Sequence, residues 1–339
     1  MKIAILSPIA WRTPPESYGP WEQVASTLTE GLVKRGHEVS LFATRNSITS
    51  AKLEAVCDLP YSTDGESDAK VLECLHISHL MEQADRFDII HNHFDFLPLT
   101  YSRLIKTPLI TTIHGFSSPK IIPVYKKYDT STTYISISNS DRHKDLNYLD
   151  TIYHGVDPDL FTFQSEKQDY LLFFGRIHPE KGLDKAIDIA KMARLPLKIA
   201  GLIQDEQYYQ SKIQSQINGD TVQYLGNLCK SDRNAVLGGA KALLHPISFE
   251  EPFGLSVLEA MMCGTPVIAF ARGSMPELII EGVSGFLVDT IEEAVIAVTK
   301  LSAINPKIVR DHASSNFSMD KMIKSYELAY SKVLDESIQ

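Results

Sequence analysis

The stretch Ser248-Phe249-Glu250-Glu251-Pro252-Phe253-Gly254-Leu255-Ser256-Val257-Leu258-Glu259 sets two carboxylates, Glu251 and Glu259, eight residues apart around a turn rich in Pro and Gly. It follows the apolar run 242–245 and leads into a helix expected to start near Gly254 and stop at Gly264. In such a strand, turn and helix the first amides of the helix lack intrahelical acceptors. They stand at the positive end of the helix dipole, where they can hold a phosphate or a sugar hydroxyl. Carboxylates accept hydrogen bonds from vicinal hydroxyls, so two of them beside an anion site suggest a ligand built as sugar, phosphate and ribose. The alternative makes Glu251 a helix cap and Glu259 a solvated charge on the helix face.

Such a constellation needs strands to aim it. Short apolar runs at 3–6, 38–43, 88–91, 109–113 and 134–138 alternate with segments of helical period such as 21–35, the pattern of β-α-β units and a parallel sheet. The pattern restarts at 170–175, followed by a helix over 183–193, and continues through 197–201, 222–225, 242–245 and 266–269. A chain of 339 residues also exceeds the roughly 250–300 at which single cores stop growing, so two domains are expected. The segment 157–165 has neither period and contains Asp157-Pro158-Asp159, which reads as the linker. A cleft between two such domains is the default ligand site. The last helix, 318–334, places Met319, Met322, Ile323, Tyr326, Ala329, Tyr330 and Val333 on one face, and is expected to pack back across the domain junction.

The loop and helix around the two glutamates, continued by Ala260-Met261 and Gly264-Thr265-Pro266-Val267-Ile268-Ala269, resemble the E-P-F-G-L-x-x-L-E-A-M-A-x-G-x-P-V-V-A signature of family 4 retaining glycosyltransferases, with its E-x7-E spacing intact. Four further matches stand in the family's order: Phe174-Gly175-Arg176 with Pro179-Glu180-Lys181-Gly182, then 197–201, then Tyr224-Leu225-Gly226, then Pro276-Glu277-Leu278-Ile279 with 282–288. The resemblance implies an α/β GT-B fold, two Rossmann-like doubly wound parallel-sheet domains facing a central cleft. Residues 1–160 would form the acceptor-side domain and 165–312 the domain binding a sugar nucleotide, with 313–339 packing back on the first.

On that resemblance Arg176 and Lys181 hold the donor diphosphate, and two fixed cations can neutralise the leaving charge without a metal. Glu251, with Phe253, Gly254 and Leu255, meets the donor sugar and phosphate, Glu259 reads the ribose, and the neighbourhood of Gly226 and Leu228 contacts the base through backbone atoms. In the first domain Tyr18-Gly19-Pro20-Trp21-Glu22 resembles the family's Gly-Gly-x-Glu loop: Gly19 and Glu22 match, while Pro20 removes one N–H that a phosphate oxygen would meet. Trp21 either walls the acceptor pocket or staples the helix entry. His114, in Thr111-Thr112-Ile113-His114-Gly115, resembles the strand-end histidine that lies against the donor hexose near the reacting centre. His91-Asn92-His93-Phe94-Asp95 falls where the family has H-x-H-D-like loops. His93 and Asp95 are assigned to the acceptor there, in preference to zinc binding with His114. Tyr153-His154-Gly155-Val156-Asp157 departs from the family's P-N-G-V-D turn at its first two positions, a change expected to bear on linker geometry.

The function implied is a retaining transfer of a hexose from a nucleoside-diphosphate sugar to a hydroxyl-bearing small molecule or glycan. It is expected to proceed by same-face attack, with the sugar nucleotide as co-substrate, no other cofactor and no metal. The rival is a non-catalytic sugar-nucleotide or carbohydrate sensor on the same fold, and a Rossmann oxidoreductase is disfavoured because no G-x-G-x-x-G follows the first strand. With 33 basic against 42 acidic residues the net charge is -9, which opposes attraction to nucleic acid. Residues 1–150, with 15 basic and 18 acidic side chains, offer little to an anionic membrane. Scattered cysteines and an N-terminal run too short for a signal peptide point to a cytoplasmic protein.

Overall fold

The computed structural model describes residues 1–338 except Ser17 and Ser117. Contacts divide the chain into two units, Met1–Gly155 with Met319–Gln339, and Val156–Ser318. The first holds β1 (Lys2–Leu6), α1 (Pro20–Lys34), β2 (Glu38–Phe42), β3 (Lys52–Glu54), α2 (Ala69–Met81), β4 (Ile89–Asn92), β5 (Leu109–Ile113), α3 (Ile122–Tyr128), β6 (Thr133–Ser136) and β7 (Tyr148–Thr151). Its seven strands pair in parallel in the order β3-β2-β1-β4-β5-β6-β7. Helices cover such a sheet on both faces, so β1 beyond Lys2, β4 and β5 are buried at every position instead of alternating, their polar residues His91, Asn92, Thr111 and Thr112 included.

The second unit holds β8 (Leu171–Phe174), α4 (Leu183–Ala193), β9 (Leu197–Ala200), the single turn α5 (Glu206–Tyr208), β10 (Val222–Tyr224), α6 (Lys230–Gly239), β11 (Ala242–His245), α7 (Leu255–Met262), β12 (Val267–Phe270), α8 (Met275–Leu278), β13 (Gly285–Val288), α9 (Ile291–Lys300) and α10 (Pro306–Asn316). Its six strands are also all parallel, in the order β10-β9-β8-β11-β12-β13. In both sheets the order reverses beside the first strand, β1 or β8, which is where doubly wound sheets bind ligands at the carboxyl ends of their strands.

The last helix, α11 (Met319–Ile338), returns to the first unit and lies on α1. Gly31 makes room for it: a Cβ there would stand 1.9 Å from Ile323 Cδ1. The apolar stripe read from the sequence is the buried one, with Met322, Ile323, Tyr326, Ala329, Tyr330 and Val333 all covered. At its rim Arg35 Nε donates to Glu327 (2.9 Å) and Arg35 Nη1 to Asp320 (3.0 Å).

The expected linker is structured. The division falls at Gly155/Val156 and Ser318/Met319, a few residues from the boundaries 160/165 and 312/313. Val156 N–H donates to Phe317 O (3.1 Å). Arg310 on α10 donates through Nη1 to Phe161 O (2.8 Å) and Met262 O (2.5 Å), and through Nη2 to Pro158 O (3.0 Å). One half-buried guanidinium thus gathers three carbonyls and ties the aperiodic segment to the rest of the second unit, an interaction that no local pattern announces.

Candidate active site

In the second unit the motif residues converge at the carboxyl ends of β8 and β11. Gly201, after β9, stands at φ 149°, and a Cβ there would lie 1.8 Å from Gly175 O, so only glycine lets the two strand ends meet below Arg176. Gly182 has φ 72°, with Pro246 O only 2.1 Å from where its Cβ would be. That close approach seats the turn carrying Lys181 on the loop after β11, where Ser248 N–H donates to Glu180 O (2.8 Å).

Lys181 Nζ pairs with Glu251 Oε2 and also stands 4.7 Å from the Phe249 ring centroid. Both partners of the pair are nearly buried. Burial alone would raise the Glu251 carboxyl, but Lys181 and His245 beside it bring it down to about 2. Arg176 Nη2 donates to Glu180 Oε1 (3.0 Å), and its Nη1 to Gln204. Glu259 is held by Arg233, whose Nη1 lies 3.2 and 3.3 Å from its two oxygens while the guanidinium covers the Phe174 ring at 5.4 Å. The charges of Arg176, Lys181, Arg233, Glu180, Glu251 and Glu259 are therefore paired within the protein.

The alternative assignments for the glutamates fail. Gly254 precedes helix α7, which has no side-chain cap, so Glu251 does not cap it; the Val257 N–H is taken by Gly254 O (3.1 Å), which leaves the amides of Leu255 and Ser256 to meet a ligand. Glu259 is no solvated face charge but is largely covered beside Arg233. Leu255 opens α7, Gly226 accepts the Gly201 N–H (3.0 Å) and Leu228 follows half-buried. The Phe253 ring is turned away from any ligand role, 2% exposed and edge-on to Phe317 at 6.2 Å, leaving only its backbone for the site.

In the first unit His93 and His114 follow β4 and β5 and meet: His93 Nδ1 lies 2.9 Å from His114 Nε2. His114 Nδ1 lies 3.3 Å from His154 Nε2, and the Trp21 ring stacks on His114 at 5.4 Å and 21°. Both ring nitrogens of His114 are thus engaged, so the expected contact of this imidazole with a sugar hydroxyl has no free nitrogen to make it. His91 is a core residue, its ring nitrogens taken by Tyr330 OH (2.7 Å) and Thr112 Oγ1 (2.8 Å). Burial is the main cause that keeps all four rings neutral: His93 and His154 are pushed down to about 3, and His91 and His114 well below the usual range. The departure at His154, assigned to linker geometry, therefore belongs to this cluster.

Asp95 adopts φ 88°, accepts from Tyr125 OH (2.5 Å) and gives its carbonyl to Asn92 Nδ2 (2.8 Å). Gly19 precedes α1, which begins at Pro20, one residue before the expected segment 21–35, and Glu22 in the first turn is buried, with Oε1 accepting the Trp11 N–H (3.2 Å). Burial raises Glu22 to about 7. Among the described residues no group of three or more His, Cys, Asp or Glu converges to hold a metal ion, the His91, His93 and His114 set included. Two site residues escaped the sequence reading: His245 sat visibly beside a motif, while Arg233, inside a polar helix, carried no signal. Glu180 was read as part of a motif but given no role.

Two all-parallel α/β units with this arrangement at their strand ends define a glycosyltransferase of the GT-B fold. Residues 21–160 match the family model described as Glycosyltransferase Family 4 and residues 160–315 that described as Glycosyl transferases group 1, and the chain belongs to the family 4 glycosyltransferases. It is similar to an uncharacterized glycosyltransferase of Methanocaldococcus jannaschii, 25% identical and covering 95% of this chain and 98% of that one. A D-inositol 3-phosphate glycosyltransferase of Mycolicibacterium smegmatis is 33% identical over 173 residues, 46% of this chain and 38% of that protein. Among solved structures, Anabaena HepE in complex with UDP and glucose shares the fold with a TM-score of 0.73 and 20% identity, over 98% of this chain and 100% of that one. Among the described residues no helix is long and apolar enough to cross a membrane.

Proposed function

We propose that the chain transfers a hexose, with retention, from a nucleoside-diphosphate sugar to a hydroxyl acceptor without a metal. The observation that carries the reading is the Lys181–Glu251 pair beside Arg176, at the uncapped start of α7. Arg176, Lys181 and the first amides of α7 would hold the diphosphate and take the charge that develops as it leaves. Glu251 would orient donor-sugar hydroxyls and Glu259 the ribose. In same-face attack the bond from the anomeric carbon to the phosphate oxygen breaks and the bond to the acceptor oxygen forms on the same side. The acceptor proton passes to the departing diphosphate. Glu251 is paired with Lys181, which suits a hydroxyl-binding group better than a nucleophile. The acceptor is assigned to the first unit, at Trp21, His93, Asp95 and the ring edge of His114, with Gly19 on the phosphate side. The complex of HepE with UDP and glucose supports a uridine donor. The protein is placed in the cytoplasm, where sugar nucleotides are made.

The test is thermal stability against UDP, GDP, ADP and dTDP sugars in EDTA. One nucleotide class at 100 times its dissociation constant is expected to add about 2.7 kcal/mol. Sugar release or transfer should then fall in Glu251→Ala by on the order of 3 kcal/mol, a hundredfold or more in kcat/KM. Stabilisation without any turnover would instead make the protein a sensor, and normal turnover in Glu251→Ala would remove the donor assignment.

A further inference from the structure

His245 ends β11, belongs to none of the family motifs quoted above, and is 3% exposed. Its Nε2 stands 3.3 Å from Glu251 Oε2, yet lacks the alignment of a hydrogen bond, so a buried nitrogen is left without a bonded partner. The same oxygen, Oε2, is the one that Lys181 Nζ holds. Two potential donors therefore face one oxygen, and the cation is the nearer.

If Lys181 serves the donor's diphosphate, which is the reading given above, its hold on Glu251 weakens when donor binds. A buried carboxylate losing its cation would then need another donor. We propose that His245 is a positioning residue that takes over Glu251 Oε2, and takes up a proton from solvent, as the donor's diphosphate claims Lys181. The charged groups facing His245 are Glu251 and Lys181. In the free protein burial is the main cause that keeps the ring neutral; Glu251 favours its charged form and Lys181 opposes it. Phosphate charge beside Lys181 cancels the opposition and leaves the attraction of Glu251. Donor binding and proton uptake are then linked, and Glu251 stays fixed for the sugar hydroxyls through the whole step.

Calorimetric titration of the full chain with UDP-glucose, in buffers of different ionisation enthalpy, reads the protons directly. The diphosphate of this probe is esterified at both ends and brings no titrating proton of its own. At pH 6.5 the binding enthalpy should vary with the buffer by a fraction of one proton taken up, fading towards zero at pH 8.5. His178, whose Nδ1 lies 3.6 Å from Glu180 Oε1, is another histidine near these motifs, and His178→Gln should keep the uptake. His245→Gln should abolish it and bind several-fold more weakly. Binding without buffer dependence in the unaltered protein, or uptake that persists in His245→Gln, overturns the proposal while leaving the donor site standing. No binding of UDP-glucose or any other sugar nucleotide overturns the donor reading, and this inference with it.

Discussion

Glu22 and the buried imidazoles show how strongly position alters single residues. Burial holds Glu22 at about 7 against an ordinary 4.5, so between those values the unfolded chain gives up a proton that the folded chain keeps. Stability from this group is therefore present below pH 4.5 and lost as pH rises towards 7. The histidines act in the opposite sense: below 6.5 the unfolded chain binds protons that His93 and His154 refuse until about 3, so their contribution falls as pH drops. Glu22→Gln, which can still accept the Trp11 N–H, should raise stability at pH 8 by on the order of 2 kcal/mol and change little at pH 4. Denaturant unfolding at the two pH values checks this, and an equal gain at both would show that charge is not the cause. Glu22 was legible as a motif match. Its protonation was not, because desolvation depends on chain segments distant in sequence.

Elements are aimed by their turns. Helix α4 was readable to the residue from its apolar period, and the glutamate spacing around α7 from the letters alone. What aims them is the backbone approach at Gly201 and Gly182, which the sequence marks only as glycines. Gly201→Ala would push a methyl to within 1.8 Å of Gly175 O, parting the ends of β8 and β9. The expected cost is on the order of 3 kcal/mol or more, with loss of nucleotide binding as Arg176 shifts. Gly226, also at positive φ (80°) but with nothing within 4 Å of an added Cβ, is the control: Gly226→Ala should cost about 1 kcal/mol. Equal costs in the two variants would mean that backbone conformation, and not the close approach, sets the requirement.

At the scale of the molecule the first unit is discontinuous, built from residues 1–155 and completed by α11. Tyr326 and Tyr330 on α11 bury their rings and give their hydroxyls to Thr112 (2.8 Å) and His91 (2.7 Å). A chain ending at Ser318 would lose these rings and leave His91 Nδ1 without its Tyr330 partner in the core. The summed loss, on the order of 10 kcal/mol, rivals the whole stability of a domain. Scanning calorimetry should find the unfolding transition of the first unit missing, with that of the second retained and still shifted by sugar nucleotide. Intact melting of both units would show that α11 is dispensable.

The sequence by itself determined the class of fold, the division into two α/β units and the motif carrying the two glutamates. Those features are local: they lie in periodicity and in residues close along the chain. The tertiary structure alone decided that Arg233 holds Glu259, that His154 joins His93 and His114, and that His245 stands 3.3 Å from the oxygen that Lys181 holds. Each of these joins side chains on different strands, loops or helices. Their chemistry follows from a burial and a distance that exist only once the sheets have formed.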